Sequence, residues 1–216
     1  MNTCAAGHKK HDRKKVDTIL GEMTIYDYRE YMGFRGYCSG QDAVSQGIDS
    51  SGCWDKEIHE RAVDILDKGD RSKQFLDIGS HIGWFSKLAA SLGYRVSAYD
   101  ADKENLELLI INVPEALRDH VWIDENIEPA TLSSEAELVK IDIEGNEQYA
   151  IQMLQKSLKD GTINNLIMEI SPVFNDSYPA LMERMKNYGY EILHLDGKPW
   201  NGKLNFDQLD MWFKKQ

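Results

Sequence analysis

The chain has 216 residues, 42% of them hydrophobic and 28% charged, with a net charge of −11 at neutral pH. This composition is that of a globular protein with room for one α/β domain and a modest extension. The acidic balance argues against broad binding to a nucleic-acid backbone, and no apolar run reaches the ~20 residues that span a bilayer.

Residues 1–15 are polar and basic, and read as a disordered tail or linker rather than a secretory signal. Residues 16–50 mix tyrosines with glycines, which predicts an irregular extension with a short helix and a loop capping one end of the domain. Trp54 to Leu66 has apolar residues at helical spacing. Then follow a strand at Phe75–Ile78, a helix at Trp84–Leu92, a strand at Arg95–Tyr99 and a helix at Lys103–Ile111. A short strand at Val121–Ile123 and a strand at Leu138–Ile143 come next, then a helix at Gln148–Leu158 and a strand at Asn165–Ile170. A helix at Tyr178–Tyr188 and strands at Tyr190–Leu195 and Leu209–Phe213 end the series. The β/α alternation predicts a mostly parallel sheet with helices on both faces. The last two strands lack a helix between them and predict an antiparallel hairpin at one edge. Three cysteines, Cys4, Cys38 and Cys53, have no metal-ligand spacing and read as free thiols of a reducing compartment.

The most informative segment is Phe-Leu-Asp-Ile-Gly-Ser-His-Ile-Gly-Trp-Phe, residues 75–85, an apolar strand entering a glycine-rich turn before a helix. Asp100 closes the next apolar run, 21 residues after Gly79. An acid there accepts hydrogen bonds from both hydroxyls of a ribose, and the glycines admit close approach of a ligand. A dinucleotide loop has Gly-x-Gly-x-x-Gly, but this turn has Asp77-x-Gly79-x-x-x-Gly83. A carboxylate in place of the first glycine repels a pyrophosphate and attracts the ammonium and sulfonium of S-adenosylmethionine. The expected cofactor contacts are Asp77, Gly79, Ser80, His81, Gly83 and Asp100, with Asn126 near the adenine and Trp54 over the methionine end.

With these residues the chain resembles the FkbM family of S-adenosylmethionine-dependent methyltransferases. The resemblance lies in residues 75–86, Ser-Ala-Tyr-Asp-Ala-Asp (97–102), Val-Lys-Ile-Asp-Ile-Glu-Gly-Asn-Glu (139–147) and Leu-Ile-Met-Glu-Ile (166–170). It implies an α/β class I methyltransferase fold of Rossmann-like type, a seven-stranded mostly parallel sheet with an antiparallel C-terminal hairpin. It implies O-methylation of a sugar hydroxyl, such as that of a deoxyhexose like rhamnose in a glycan, with S-adenosyl-L-homocysteine as product. It also implies a carbohydrate acceptor, a cytoplasmic location and the company of glycosyltransferase domains. His81 stands where the family more often has Asn, and Asp100 where it more often has Glu. The domain division is then a tail at 1–15, an extension at 16–50 and a methyltransferase domain at 51–216.

Methyl transfer to a hydroxyl needs alignment and a proton acceptor. Asp142 and Glu144 at the end of the fourth strand and Glu169 at the end of the fifth are the candidate catalytic carboxylates. Asp142 or Glu144 serves as a base in one reading; in the other, Asp142 and Glu169 hold a divalent cation such as Mg²⁺. Glu147 reads as a cap of the following helix, and the Lys140 stem as snorkelling to the rim. A nicotinamide-dependent oxidoreductase, a non-catalytic module and a methyltransferase of another small-molecule hydroxyl are the competing readings.

Overall fold

The computed structural model describes residues 13–27, 42–126, 135–143, 145–172, 178–204 and 208–216. The chain divides into two compact units, Met1–Lys56 and Glu57–Gln216.

In the first unit, strands β1 (Arg13–Thr18) and β2 (Gly21–Tyr26) form an antiparallel hairpin closed at Thr18 and Gly21. Helix α1 (Ala43–Ser51) follows, with the Asp42 carboxylate accepting from the Val44 and Ser45 backbone N–H groups. Arg13 to Lys15 are therefore strand rather than tail. Lys14 pairs with Asp49 at 2.7 Å and Lys15 with Glu22 at 2.5 Å. Backbone pairing with β2, whose Met23, Ile25 and Tyr26 are buried, makes a strand of a run that composition alone reads as solvated. Residues 16–27 likewise form hairpin rather than irregular cap. The remaining aromatics of that segment, from Tyr28 to Tyr37, fall outside the described residues.

The second unit holds α2 (Lys56–Lys68), β3 (Gln74–Ile78), α3 (Trp84–Ser91), β4 (Arg95–Tyr99), α4 (Lys103–Asn112) and β5 (Val121–Asp124). It continues with β6 (Ala136–Ile141), α5 (Glu147–Met153), α6 (Gln155–Asp160), β7 (Ile163–Ile170), α7 (Tyr178–Asn187), β8 (Tyr190–His194) and β9 (Leu209–Lys215). The sheet order is β5-β4-β3-β6-β7-β9-β8. The first five strands in that order are mutually parallel, and β9 lies antiparallel between β7 and β8. The mostly parallel seven-stranded α/β sheet and its antiparallel C-terminal pair agree with the sequence reading.

Two boundaries move for local reasons. Helix α2 cannot extend back to Trp54 because Asp55 has φ 39°, outside the helical region. The helix expected over 148–158 breaks at Leu154 into α5 and α6. Alternate residues of the central strands face opposite layers. Leu76, Ile78, Val139, Ile141, Leu166 and Met168 join Ile151, Leu154, Leu181 and Met185 in one apolar cluster. On the other face, Asp77 pairs in register with Lys140, beneath Ser86 and Phe85 of α3. The Asp77–Lys140 pair is thus set on the α3 side of the two middle strands.

Candidate functional site

The C-terminal tips of β3, β4 and β6 meet at the turn of residues 79–83, where ligands bind in open parallel sheets. The turn hangs from β4: the Gly79 and Ser80 N–H groups both donate to the Tyr99 carbonyl at 2.9 Å. The His81 N–H donates to Asp100 Oδ2 at 2.8 Å, and His81 itself sits at φ 47°. Asp100 is positioned in turn by the Asp102 N–H at 2.9 Å and the Asn105 amide at 3.1 Å, both on Oδ1. Three of its roughly four acceptor positions are therefore engaged within the chain. The one left on Oδ2 suits a single ribose hydroxyl, not the two that the sequence suggested.

The glycines have a different origin from the one expected. A Cβ on Gly79 would lie 1.7 Å from the Asp142 carbonyl, and one on Gly83 would lie 2.6 Å from Leu109 Cγ. Both residues also have φ above 80°. Protein packing and left-handed backbone require them before any ligand does.

Asp77 does not line an open surface. It is fully buried, and its Oδ2 accepts from Ser86 Oγ at 2.6 Å. Burial pushes its pKa up to about 6, against the pull of Lys140 and Ser86. Its Oδ1 and the buried Ser80 Oγ have no hydrogen-bond partner among the described residues. Buried polar atoms are nearly always satisfied. Two orphans flanking this turn fit a polar ligand or its waters, which makes the turn a suitable seat for the amino-acid and ribose portions of an adenosyl cofactor.

Lys140 departs most from expectation. Its side chain does not reach the rim: the residue is 4% exposed. Its Nζ lies 3.0 Å from Asp142 Oδ2, 3.5 Å from the Gly79 carbonyl and 5.2 Å from the centre of the Phe85 ring. Burial alone would lower its pKa; Asp142 and Asp77 more than offset that and hold it above the ordinary lysine value. These two carboxylates favour the charged form of Lys140. The sequence flagged it only as an odd residue in an apolar run; Asp142 stands two positions on, but Asp77 comes beside it only through strand pairing.

Among the acids, Asp142 stands at the tip of β6, where its N–H still bonds the Ile78 carbonyl at 2.9 Å. Its side chain is 28% exposed. Glu144 lies outside the described residues. Glu169 is buried at the end of β7, where it accepts from Ser171 Oγ at 2.8 Å and from the Gln208 amide. Both bonds serve the β7–β9 junction. Glu147 is also buried; it accepts from the Gly145 N–H at 2.9 Å and from Tyr178 Oη at 2.5 Å, so it locks the turn after Asp142. Among the described residues no group of three or more His, Cys, Asp and Glu is arranged to hold a metal ion.

Asn126 is exposed just beyond β5, its N–H on Asp124 Oδ1 at 3.0 Å. Because Tyr99 pairs with Asp124, Asn126 lies at the same sheet end as Asp100. Trp54 belongs to the first unit and packs on α1: a Cβ on Gly47 would come within 2.7 Å of its ring. That contact supplies a packing role for Trp54.

The Asp77 shift has a measurable consequence. The unfolded carboxyl releases its proton near 3.8, whereas the folded one keeps it to about 6. Between those values the native state binds more protons, so this group's contribution to stability falls as pH rises and is level above about 6. At neutral pH the penalty is about 3 kcal/mol. Asp77→Asn is therefore expected to stabilise the protein by about 2 kcal/mol at pH 7.5, allowing for the weaker amide pairing. The gain should shrink toward pH 4.5. Thermal melts of both proteins at the two pH values check this; equal gain at both would contradict it.

No family model matches the chain, and no curated protein matches it by sequence. Solved structures do match. A SAM-dependent methyltransferase from Agrobacterium tumefaciens superposes with a TM-score of 0.58 at 14% identity, over 97% of this chain and 72% of that one. A TehB-like SAM-dependent methyltransferase from Corynebacterium glutamicum gives 0.53 at 14% identity, over 79% and 94%. Precorrin-6y C5,15-methyltransferase from Geobacter metallireducens gives 0.51 at 16% identity, over 74% and 89%. The chain thus has the Rossmann-like α/β fold of the SAM-dependent methyltransferases.

Proposed function

We propose that the chain is an S-adenosylmethionine-dependent O-methyltransferase acting on a sugar hydroxyl, as in a glycan. The observation that carries the cofactor reading is Asp100, oriented at the tip of β4 and tied to the Gly79–Gly83 turn through the His81 N–H. Methyltransferases among the fold neighbours support it, as does the lack of a dinucleotide glycine frame. The sugar acceptor rests on the likeness of residues 139–147 to the FkbM family, and a deoxyhexose such as rhamnose is the favoured sugar.

S-adenosylmethionine supplies an activated methyl group on a sulfonium. Held by Asp100 and the Gly79–Gly83 turn, it would give its methyl to the acceptor oxygen as the carbon–sulfur bond breaks, with the electron pair left on sulfur. Asp142 is the residue proposed to take the hydroxyl proton. Its Oδ2 is held by Lys140, and Oδ1 remains for the acceptor. A carboxylate so paired is better at orienting the hydroxyl than at stripping it early, so the proton moves late in the displacement. Glu144 is proposed to line the acceptor side, and Glu169 to shape it through its hold on Ser171 and Gln208. Alignment of this kind contributes on the order of 7–11 kcal/mol in well-oriented systems.

The test is incubation of the protein with methyl-labelled cofactor and a panel of glycans, with the methyl position read by NMR and an EDTA control alongside. Label on a sugar oxygen, retained in EDTA, is the expected result. Label on nucleic acid or on nitrogen would overturn the acceptor assignment, and loss of transfer in EDTA would overturn the metal-free base.

A further inference from the structure

We propose that Lys140 is a specificity-determining residue, whose buried ammonium sets how strongly the Gly79 turn distinguishes a cationic sulfonium from its neutral thioether product. The proposal rests on the cofactor reading above. An ammonium in the interior carries a desolvation cost of several kcal/mol before its partners repay it. Every residue of β6 is buried, and an apolar side chain at position 140 would pack the strand without that cost. Lys140 nevertheless stands between two carboxylates, opposite Asp77 in register and 3.0 Å from Asp142. Its Nζ is also 3.5 Å from the carbonyl of Gly79, a residue of the turn assigned to the cofactor.

The charges around it are mostly negative. Asp142, Asp77 and Asp210 all act on Lys140, and Asp100 acts on Asp77. With Lys140 removed, Asp142 would hold a cation more tightly, Asp77 would lose the pull that keeps its pKa near 6, and affinity for the neutral thioether would change little. With Lys140 present, the field at the turn is partly cancelled. That matters for chemistry because methyl transfer discharges the sulfonium. A neighbouring ammonium disfavours the charged reactant more than the transition state, in which the charge is already dispersing. The same ammonium fixes Asp142 Oδ2 and contacts the turn, so one residue links the cofactor side of the site to the acceptor side.

The test is calorimetric titration of S-adenosylmethionine and S-adenosylhomocysteine into wild type, Lys140→Met, Lys140→Gln and Lys140→Arg, with folding checked by circular dichroism. At the separations within such a site, loss of one charge is expected to raise the affinity ratio of sulfonium to thioether about tenfold in the Met and Gln variants. Arg keeps the charge and should hold the ratio within about twofold of wild type. A folded Met or Gln variant whose two affinities move by the same factor, or not at all, would overturn the proposal and leave Lys140 a packing residue. Wild type binding neither ligand would instead overturn the cofactor reading itself.

Discussion

Gly79→Ala is expected to destabilise the domain by about 4 kcal/mol or more, the range reached only by specific structural lesions. The new methyl would sit 1.7 Å from the Asp142 carbonyl, inside any permissible contact. It must also occupy a backbone at φ 82°, where a Cβ is strained. Relief requires parting the tips of β3 and β6, which lie at the centre of the sheet. In a domain of this size the loss lowers the melting temperature by roughly 10 °C or more. Thermal melting followed by circular dichroism measures it. Gly202→Ala, with nothing within 4 Å of its new Cβ and φ 84°, isolates the strain component and should cost only about 1 kcal/mol. Equal losses at both sites would mean that the β3–β6 contact contributes nothing.

Asp100→Ala is expected to weaken cofactor binding about 100-fold, the effect of losing a hydrogen bond to a charged acceptor together with the order that acceptor imposes. The carboxylate acts twice. On the proposed reading it offers its remaining acceptor position to the ribose; it also holds the His81 N–H, which pins the turn in a conformation with a non-glycine residue at φ 47°. Without it the Asp102 N–H and the Asn105 amide also lose this acceptor. Asp100 is only partly buried, so the effect on stability should be small beside the effect on binding.

The sheet was legible because its strands are short apolar runs separated by helical periodicity, and the residues at their tips follow from the strand ends. Asp77, Asp100 and Asp142 stand at those tips as expected. What each carboxylate does was not legible. Asp77 is claimed by Ser86, Glu169 by Ser171 and Gln208, and Glu147 by Tyr178. Gln208 and Tyr178 lie more than 30 positions along the chain from their partners, and no local pattern announces them. Position in the chain predicts where an acid stands, but pairing decides whether it is free to act. The hairpin of β1 and β2 was missed for a related reason. Arg-Lys-Lys reads as solvated until β2 is paired beside it. The place of β9 between β7 and β8 is set by its pairing with both, joined by the Trp212 indole N–H on Asn165 Oδ1 at 3.0 Å, contacts that no local pattern announces. The glycine turn shows the converse: the spacing of its glycines suggests a ligand, but the contacts that demand them are within the protein.

The decisive measurement is a calorimetric titration of S-adenosylhomocysteine into wild type and Asp100→Ala side by side. Saturable one-site binding at micromolar concentration by wild type, weakened about 100-fold in the variant, is the predicted outcome. Equal affinity in both proteins, or no heat of binding to wild type, would show that the β4 tip and its glycine turn do not hold an adenosyl ligand.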